Sequence, residues 1–95
     1  MNQGSTANVP EKKFSTGAIS ATIWRNNAKD PKGQPVTYNS VSLQRRYKDK
    51  NDAWQSTNSL RVNDLPKASL VLQKSYEYLV LRGMSQGDDL VEEVI

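Results

Sequence analysis

Basic and aromatic side chains are interleaved in residues 44–48, QRRYK, and a tryptophan, Trp54, follows six residues later. Guanidinium and ammonium groups attract phosphates, and aromatic rings stack on bases that are not already stacked in a duplex. This combination is typical of a surface that binds single-stranded nucleic acid. The candidate residues for this chemistry are Trp24, Arg25, Lys29, Lys32, Tyr38, Gln44, Arg45, Arg46, Tyr47, Lys48, Trp54 and Arg61.

Other site chemistry finds little support in the composition. The chain has no cysteine and no histidine, so zinc, haem and copper sites are close to excluded and the commonest general base is missing. No Ser-x-x-Lys, Gly-x-Ser-x-Gly or glycine-rich phosphate loop occurs. Residues 49–52, DKND, resemble half a calcium loop but lack its glycine and its distant glutamate. We expect a protein that is not an enzyme and that holds no metal and no cofactor.

Charge is distributed unevenly along the chain, whose net charge is +3. The last eight residues, DDLVEEVI, contain four acids and no base, so residues 1–87 contain all 13 basic residues and only six acids. The stretches 14–25, 36–48 and 53–62 contain no acid at all. A basic body with a separate acidic end predicts an anionic polymer as partner. The alternative is an ordinary domain surface of mixed charge.

The elements that must position these side chains fit a single domain, since the chain has only 95 residues. Alternation and β-branched residues indicate strands, and Gly17 bends or breaks the first of them. A helix follows, with Asn63 or Asp64 as its cap, Pro66 in its first turn and Gly83 as its stop. The expected elements are strands at 14–25, 36–48 and 53–62, a loop at 26–35, a turn at 49–52 and a helix at 65–82.

The fold class predicted from this order is α+β, with an antiparallel sheet of three or four strands followed by one C-terminal helix. Residues 12–82 form the β-β-β-α nucleic-acid-binding domain. Residues 1–11 are polar and aperiodic, which predicts a disordered N-terminal arm, and residues 83–95 form an acidic C-terminal tail.

Strand alternation assigns the side chains to two faces of the sheet. The inner face, which the helix covers, takes Ile19, Ala21, Ile23, Val41, Leu43, Tyr47, Trp54, Leu60 and Val62. The outer face takes Ser20, Thr22, Trp24, Tyr38, Ser40, Ser42, Gln44, Arg46, Lys48, Gln55, Thr57, Ser59 and Arg61. Trp24 and Tyr38 are therefore the first candidates for base stacking. Tyr47 and Trp54 replace them only if a twist or bulge reverses the register near their hairpin.

The helix is apolar on more than one side. Its predicted contact stripe toward the sheet is Leu65, Ala68, Leu72, Tyr76 and Leu79, while Leu70, Val71, Tyr78, Val80 and Leu81 lie off it. A body of about 70 residues is marginal alone, so a second copy is the expected partner and the protein is predicted to be a homodimer through this helix. The alternative is that the extra residues meet residues 12–16 or the tail.

Three stretches resemble the positive-cofactor-four family of transcriptional coactivators, which shares its plan with the plant Whirly proteins. They are FSTGAISATIW, VSLQRRYKDKNDAW and NSLRVNDLPKASLVLQK, and together the resemblance covers residues 12–80. It implies a homodimer that packs through its helices and binds single-stranded or melted DNA on the sheet.

Residues carry over from this family by position. The resemblance places Arg45, Arg46 and Tyr47 on the family's basic and aromatic second strand, with Trp54 after the turn and Ser59 and Arg61 on a later strand. The chain departs from the family in its long loop 26–35, in QSTNS where a Gly-Lys-rich segment is common, and in its acidic end.

The acidic end resembles the tips of bacterial single-stranded-DNA-binding proteins, which recruit other proteins. It is therefore a candidate site for a protein partner. A tail of this charge can also fold back on the basic face and compete with DNA, or it can be a frayed, solubilising end.

These observations predict a single-stranded DNA-binding protein with little sequence specificity, acting in transcription, replication or repair. RNA is an alternative ligand, and a protein-interaction adaptor without nucleic-acid binding is an alternative function. No membrane span and no signal peptide is recognised, so a cytoplasmic protein is expected.

Overall fold

The computed structural model describes residues 8–81 and 91–95. Five strands form one sheet in the order β4-β3-β2-β1-β5, and β5 alone runs parallel to its neighbour. This arrangement is α+β, as the sequence predicts, with one strand more than expected. The elements are β1 (Asn8–Thr16), β2 (Ile19–Lys29), β3 (Pro35–Lys48), β4 (Trp54–Thr57), a 3₁₀ turn (Val62–Asp64), α1 (Leu65–Leu81) and β5 (Val91–Val94).

Gly17 breaks the first predicted strand into β1 and β2. It has a positive φ of 59°, which favours glycine, and it lies in the turn that joins the paired residues Thr16 and Ile19. A Cβ at this position would lie 3.1 Å from Nζ of Lys67 on α1. Glycine therefore satisfies both the turn and the close approach of the helix.

The strand β1 begins earlier than the sequence indicates. Asn8 pairs with Asn26 and Pro10 with Trp24, and a bulge separates Pro10 from Lys12. The prediction of a disordered arm is thus wrong for residues 8–11, and residues 1–7 lie outside the described residues. The sequence lacks the signal because these polar residues are ordered by ladder hydrogen bonds to β2, and not by an apolar face.

The loop between β2 and β3 is shorter than predicted, because both strands extend into it. Only residues 30–34 connect them, and the Asp30 carboxylate accepts hydrogen bonds from the backbone N–H groups of Lys32 and Gln34. The 14 residues of β3 span about 47 Å, whereas the 17 residues of α1 span about 25 Å. The far ends of β2 and β3 therefore form an arm beyond the reach of the helix.

The third predicted strand is also shorter than expected. Only Trp54–Thr57 is a strand, since the Thr57 hydroxyl accepts the backbone N–H of Ser59 and turns the chain away. Leu60 still packs against the core, but Val62 is 81% exposed in the 3₁₀ turn. Its placement on the inner face is therefore wrong.

The core lies between α1 and the inner face. Phe14, Ile19, Ala21 and Ile23 from the sheet meet Ala68 and Val71 from the helix, with Leu43, Leu60, Tyr78 and Leu79 at the margin. The buried stripe of the helix is thus Ala68, Val71 and Ser75, about a quarter turn from the predicted one. Leu65, Leu72 and Tyr76 are exposed. Helical periodicity allowed either stripe, because the helix is apolar on both.

The acidic end takes part in the sheet. In β5, Val91 to Val94 pair with Lys12 to Ser15 of β1, and the backbone N–H of Ile95 donates to the carbonyl of Ser15. The prediction of a detached tail is therefore wrong for residues 91–95, while residues 83–90 lie outside the described residues. In the ranges 8–81 and 91–95, no helix is long and apolar enough to cross a membrane.

Replacement of Ile23 by alanine tests the position of the core. Ile23 is fully buried, so Ile23→Ala should lower the free energy of unfolding by about 2–5 kcal/mol, measured by urea denaturation. Val36→Ala is the control, because Val36 is 39% exposed on the arm and its loss should change stability by less than about 1 kcal/mol. Equal losses in the two variants would contradict this assignment of the core.

Candidate nucleic-acid interface

The pairing of β2 with β3 assigns most candidate side chains to faces. Ile19, Ala21 and Ile23 pair with Arg45, Leu43 and Val41, so these six lie on the inner face that α1 partly covers. The alternate residues form the opposite surface, the outer face. Its members are Asn8, Pro10, Lys13, Ser15, Ser20, Thr22, Trp24, Asn26, Ala28, Val36, Tyr38, Ser40, Ser42, Gln44, Arg46, Lys48, Trp54 and Ser56 on β1 to β4, with Glu92 and Val94 on β5.

The hairpin between β3 and β4 corrects the position of Trp54. Lys48 pairs with Trp54 and Arg46 with Ser56, so Trp54 lies on the outer face, and not on the inner one. The same register moves Gln55 and Thr57 to the inner side. The prediction fails because it took its parity from Leu60, and the chain leaves the sheet between Thr57 and Leu60.

Trp54 and two cations form the first cluster of the outer face. The guanidinium of Arg46 lies 4.8 Å from the Trp54 ring centroid, and the ammonium of Lys48 lies 5.5 Å from it. These are cation–π distances, which hold the positive charges beside the ring. Because Trp54 is 58% exposed, the cluster offers an aromatic surface beside two cations, of which Lys48 also lies 3.4 Å from the Asp52 carboxylate.

A carboxylate in the turn holds this cluster in register. Asp49 accepts the backbone N–H groups of Asn51 and Ala53 and the side-chain amide of Gln55. The hydrogen bonds from Ala53 and Gln55 lower the pKa of Asp49 below its ordinary value. The turn thereby sets Trp54 directly beside Lys48.

The second cluster consists of Trp24 and Tyr38, which share the outer face toward the arm. The Trp24 indole N–H donates to the Ser42 hydroxyl of the neighbouring strand at 2.9 Å, so the ring lies across the sheet. Tyr38 is 53% exposed beside it, and Asn26 donates to Ser40 between them. The partners of Trp24 and Trp54 on β3 are Ser40 and Lys48, which places the two clusters about 27 Å apart.

Small hydroxyl side chains lie on the outer face between the two clusters. Ser15, Ser20 and Thr22 are each less than 9% exposed, because longer neighbours flank them. On β1 to β4, among the residues that the structure describes, the outer face carries no aspartate or glutamate. It is a surface of cations, rings, hydroxyls and amides, which suits an anionic, aromatic ligand.

Three predicted residues lie elsewhere, around a buried carboxylate. Arg45 and Tyr47 lie on the inner side, 5.5 Å apart from guanidinium carbon to ring centroid, and Arg61 lies beyond β4. Arg61 donates to Asp64 through its backbone N–H and its guanidinium, and Arg45 lies 3.4 Å from the same carboxylate. Arg45 also donates to the Ser59 carbonyl. These arginines tie the 3₁₀ turn to the sheet and do not extend the outer face.

The remaining predicted cations belong to the arm. Arg25 and Lys29 have the parity of the inner face but lie beyond the helix, and Lys32 lies in the loop. All three are exposed. Sequence reasoning missed Lys13 and Ser56 on the outer face. Lys13 could have been found from Phe14, because a buried Phe14 places the residue before it on the opposite face.

Comparisons with known proteins supply no assignment. A scan against family models, a search of curated proteins and a search of solved structures found no match to this chain. Within residues 8–81 and 91–95, no group of three or more His, Cys, Asp or Glu side chains is placed to hold a metal ion.

Asp64 predicts a specific dependence of stability on pH. Hydrogen bonds from the Arg61 side chain and backbone lower the pKa of Asp64, so the unfolded chain binds its proton more readily than the folded one. The stabilisation is present above about pH 4, the ordinary aspartate value, and is lost as the pH falls through the lowered pKa. Asp64→Asn should unfold more readily at pH 7 and lose less stability between pH 5 and pH 2 in urea titrations.

Asp52→Asn serves as its control. Asp52 is exposed, and asparagine tolerates its positive φ of 67°. This variant should keep the acid dependence of the unaltered protein. If Asp64→Asn loses stability in acid as steeply as Asp52→Asn does, the role assigned to Asp64 is wrong.

Proposed function

We propose that the protein binds single-stranded DNA on its outer face, with little sequence specificity and as a homodimer. The observation that carries the proposal is the cluster of Trp54, Arg46 and Lys48 on a face of β1 to β4 where no described residue is acidic. This is also the ligand that the resemblance to the positive-cofactor-four family implies.

The charge of the outer face supports an anionic polymer as ligand. Arg46, Lys48 and Lys13 lie on one surface with hydroxyls that donate hydrogen bonds to phosphate oxygens. Each phosphate contact on a single strand releases counterions, so the affinity should fall with salt by a slope of about 0.7 per contact on a log–log plot. Stacking on rings and contacts to phosphates accept any base, which favours weak sequence preference.

The rings support a single strand over a duplex. Trp54 and Tyr38 are more than half exposed, and Trp24 lies across the sheet. A duplex hides the faces of its bases, whereas a single strand can place them on such rings. RNA offers the same faces, so the comparison of DNA with RNA belongs to the test.

The first test is fluorescence anisotropy of a labelled single strand of about 20 nucleotides at several salt concentrations. Trp54→Ala should weaken binding by about 1–3 kcal/mol through lost stacking. Lys48→Gln should reduce the log–log salt slope by about 0.7. Duplex DNA should compete poorly, and single-stranded RNA of the same sequence reports the preference between the two.

Two matched control variants change residues that lie away from the outer face. Tyr47→Leu removes a ring one residue from Lys48 but on the inner face, and Lys74→Gln removes a cation from the helix. Both should bind as the unaltered protein does. Absence of binding at low salt by a folded sample would refute the proposal and leave a protein-interaction adaptor, whose strand variants would not affect partner binding.

The homodimer is supported by an unpartnered stripe on α1. Leu65, Leu72, Tyr76 and Val80 lie on one side of the helix and are 53%, 42%, 63% and 56% exposed. Tyr78, on the other side of the buried stripe, lies against Phe14 of β1, which places the exposed stripe toward β3. A second copy related by a two-fold axis would bury this stripe against itself.

Replacement of Leu72 by aspartate tests the dimer. The charge would face the same stripe of a second copy, so Leu72→Asp should elute as a monomer when its mass is measured by light scattering after size exclusion. Leu70→Asp is the control, because Leu70 is 38% exposed on the opposite side of the helix. A monomeric unaltered protein at all accessible concentrations would refute the dimer.

A further inference from the structure

The C-terminal strand places a carboxylate on the proposed DNA surface. The Ser15 hydroxyl donates to Oε2 of Glu92 at 2.6 Å, and Lys13 pairs directly with Glu92 across the two strands. A distance this short is that of a charge-assisted hydrogen bond to an anion. Among the described residues, Glu92 is the one acidic side chain on the strands of the outer face, while Asp52, in the turn between β3 and β4, lies 3.4 Å from Lys48.

We infer that Ser15 and Lys13 form a phosphate-binding subsite, which the Glu92 carboxylate occupies when no DNA is bound. This inference rests on the proposed function. A carboxylate and a phosphodiester both present anionic oxygens to a hydroxyl and an ammonium group, so they compete for the same donors. The ligand class is therefore the backbone phosphate of a single strand, and Glu92 is its internal competitor.

The position of the subsite fits a strand that also uses Trp24. Lys13 pairs with Thr22, and Trp24 is two residues further along β2, so the diagonal neighbours Lys13 and Trp24 lie about 7–8 Å apart. The Trp24 indole N–H reaches Ser42 on β3, so a strand that stacks a base on Trp24 would cross β2 to bring a phosphate to the Lys13 ammonium. Ser15 is buried to 8% exposure, so its hydroxyl is held in place by its surroundings.

The hold of Glu92 is weak enough for a ligand to displace it. The strand β5 pairs with β1 through only four residues. Besides the hydrogen bond from Ser15 to Glu92, its side chains make an ion pair between Lys12 and Glu93, which is long at 3.6 Å. Glu93 is half exposed and lies on the inner side with Lys12. Exposed ion pairs of this kind contribute at most about 1 kcal/mol, so they do not lock the strand against a polyanion.

Adjacent residues of one strand supply a matched pair of variants. Glu92→Gln and Glu93→Gln remove the same charge from neighbouring positions, but on opposite faces of the sheet. Glu77→Gln removes one charge from α1, far from the outer face in sequence and structure. Glu93→Gln reports the effect of removing a nearby charge and Glu77→Gln that of a distant one, while competition at the subsite concerns Glu92 alone.

The test measures the affinity of all three full-length variants for a 20-nucleotide oligothymidylate by anisotropy at low salt. Glu92→Gln should bind about two- to fivefold more tightly than the unaltered protein, the size expected for one exposed charge that opposes a bound phosphate. Glu93→Gln should show a smaller gain, and Glu77→Gln the smallest, because its charge is the most distant. The inference fails if all three variants gain equally, or if Glu92→Gln gains nothing.

A double-variant comparison locates the gain at Lys13. Lys13→Gln should weaken binding more in the Glu92→Gln background than in the unaltered chain, where the Glu92 carboxylate on the paired strand opposes the attraction of Lys13 for phosphate. Equal weakening in both backgrounds would overturn the inference even if Glu92→Gln binds more tightly. Binding by the unaltered protein together with any of these failures refutes the subsite alone, whereas no binding by any folded variant refutes the proposed function.

Discussion

The alternation of side chains along β2 is the constraint on which the rest of the structure depends. This strand is central in the sheet and pairs with β1 on one side and β3 on the other. The face of each β2 residue therefore fixes the face of its partners on both strands. Ile19, Ala21 and Ile23 face the helix, while Ser20 and Thr22 face away. A shift of one residue would bury hydroxyls under α1 and expose isoleucines, which makes the register strongly specified.

Two incompletely covered surfaces follow from one short helix on a long sheet. On the inner side, α1 leaves the arm bare and presents a stripe of its own apolar residues to the surroundings. On the outer side, Trp54, Tyr38, Arg46 and Lys48 stay exposed, whereas the hydroxyl groups of Ser15, Ser20 and Thr22 are buried. A domain this small cannot bury both faces, and we propose an apolar surface as partner of the inner side and a polyanion as partner of the outer side.

Four acidic side chains stabilise turns or the inner side of the sheet, and Asp52 lies 3.4 Å from Lys48 in the turn between β3 and β4. Asp30 and Asp49 accept backbone N–H groups in the two connecting turns, Asp64 holds two arginines, and Glu11 accepts the amide of Asn39 on the inner side. Glu92 departs from this pattern, since its carboxylate lies on the outer face. The C-terminal strand therefore not only pairs with the edge strand β1 but also places a carboxylate against Ser15 on the outer face.

Local sequence determined the type of the long elements. Alternation predicted the strand at 36–48 and placed Trp24, Tyr38, Gln44, Arg46 and Lys48 on one face, whereas turn residues predicted the turn after it and capping residues predicted the helix from residue 65. Only the tertiary structure decided how segments combine: the face of Trp54, the buried stripe of α1, the ladder at residues 8–11 and the pairing of β5 with β1. Period and propensity act within a segment, whereas register, burial and edge pairing depend on residues distant in the chain. Because both helix stripes carry apolar residues, only packing decided which of them is buried. The acidic end has no local signal for a parallel partner, so its pairing with β1 was not predictable from its own residues.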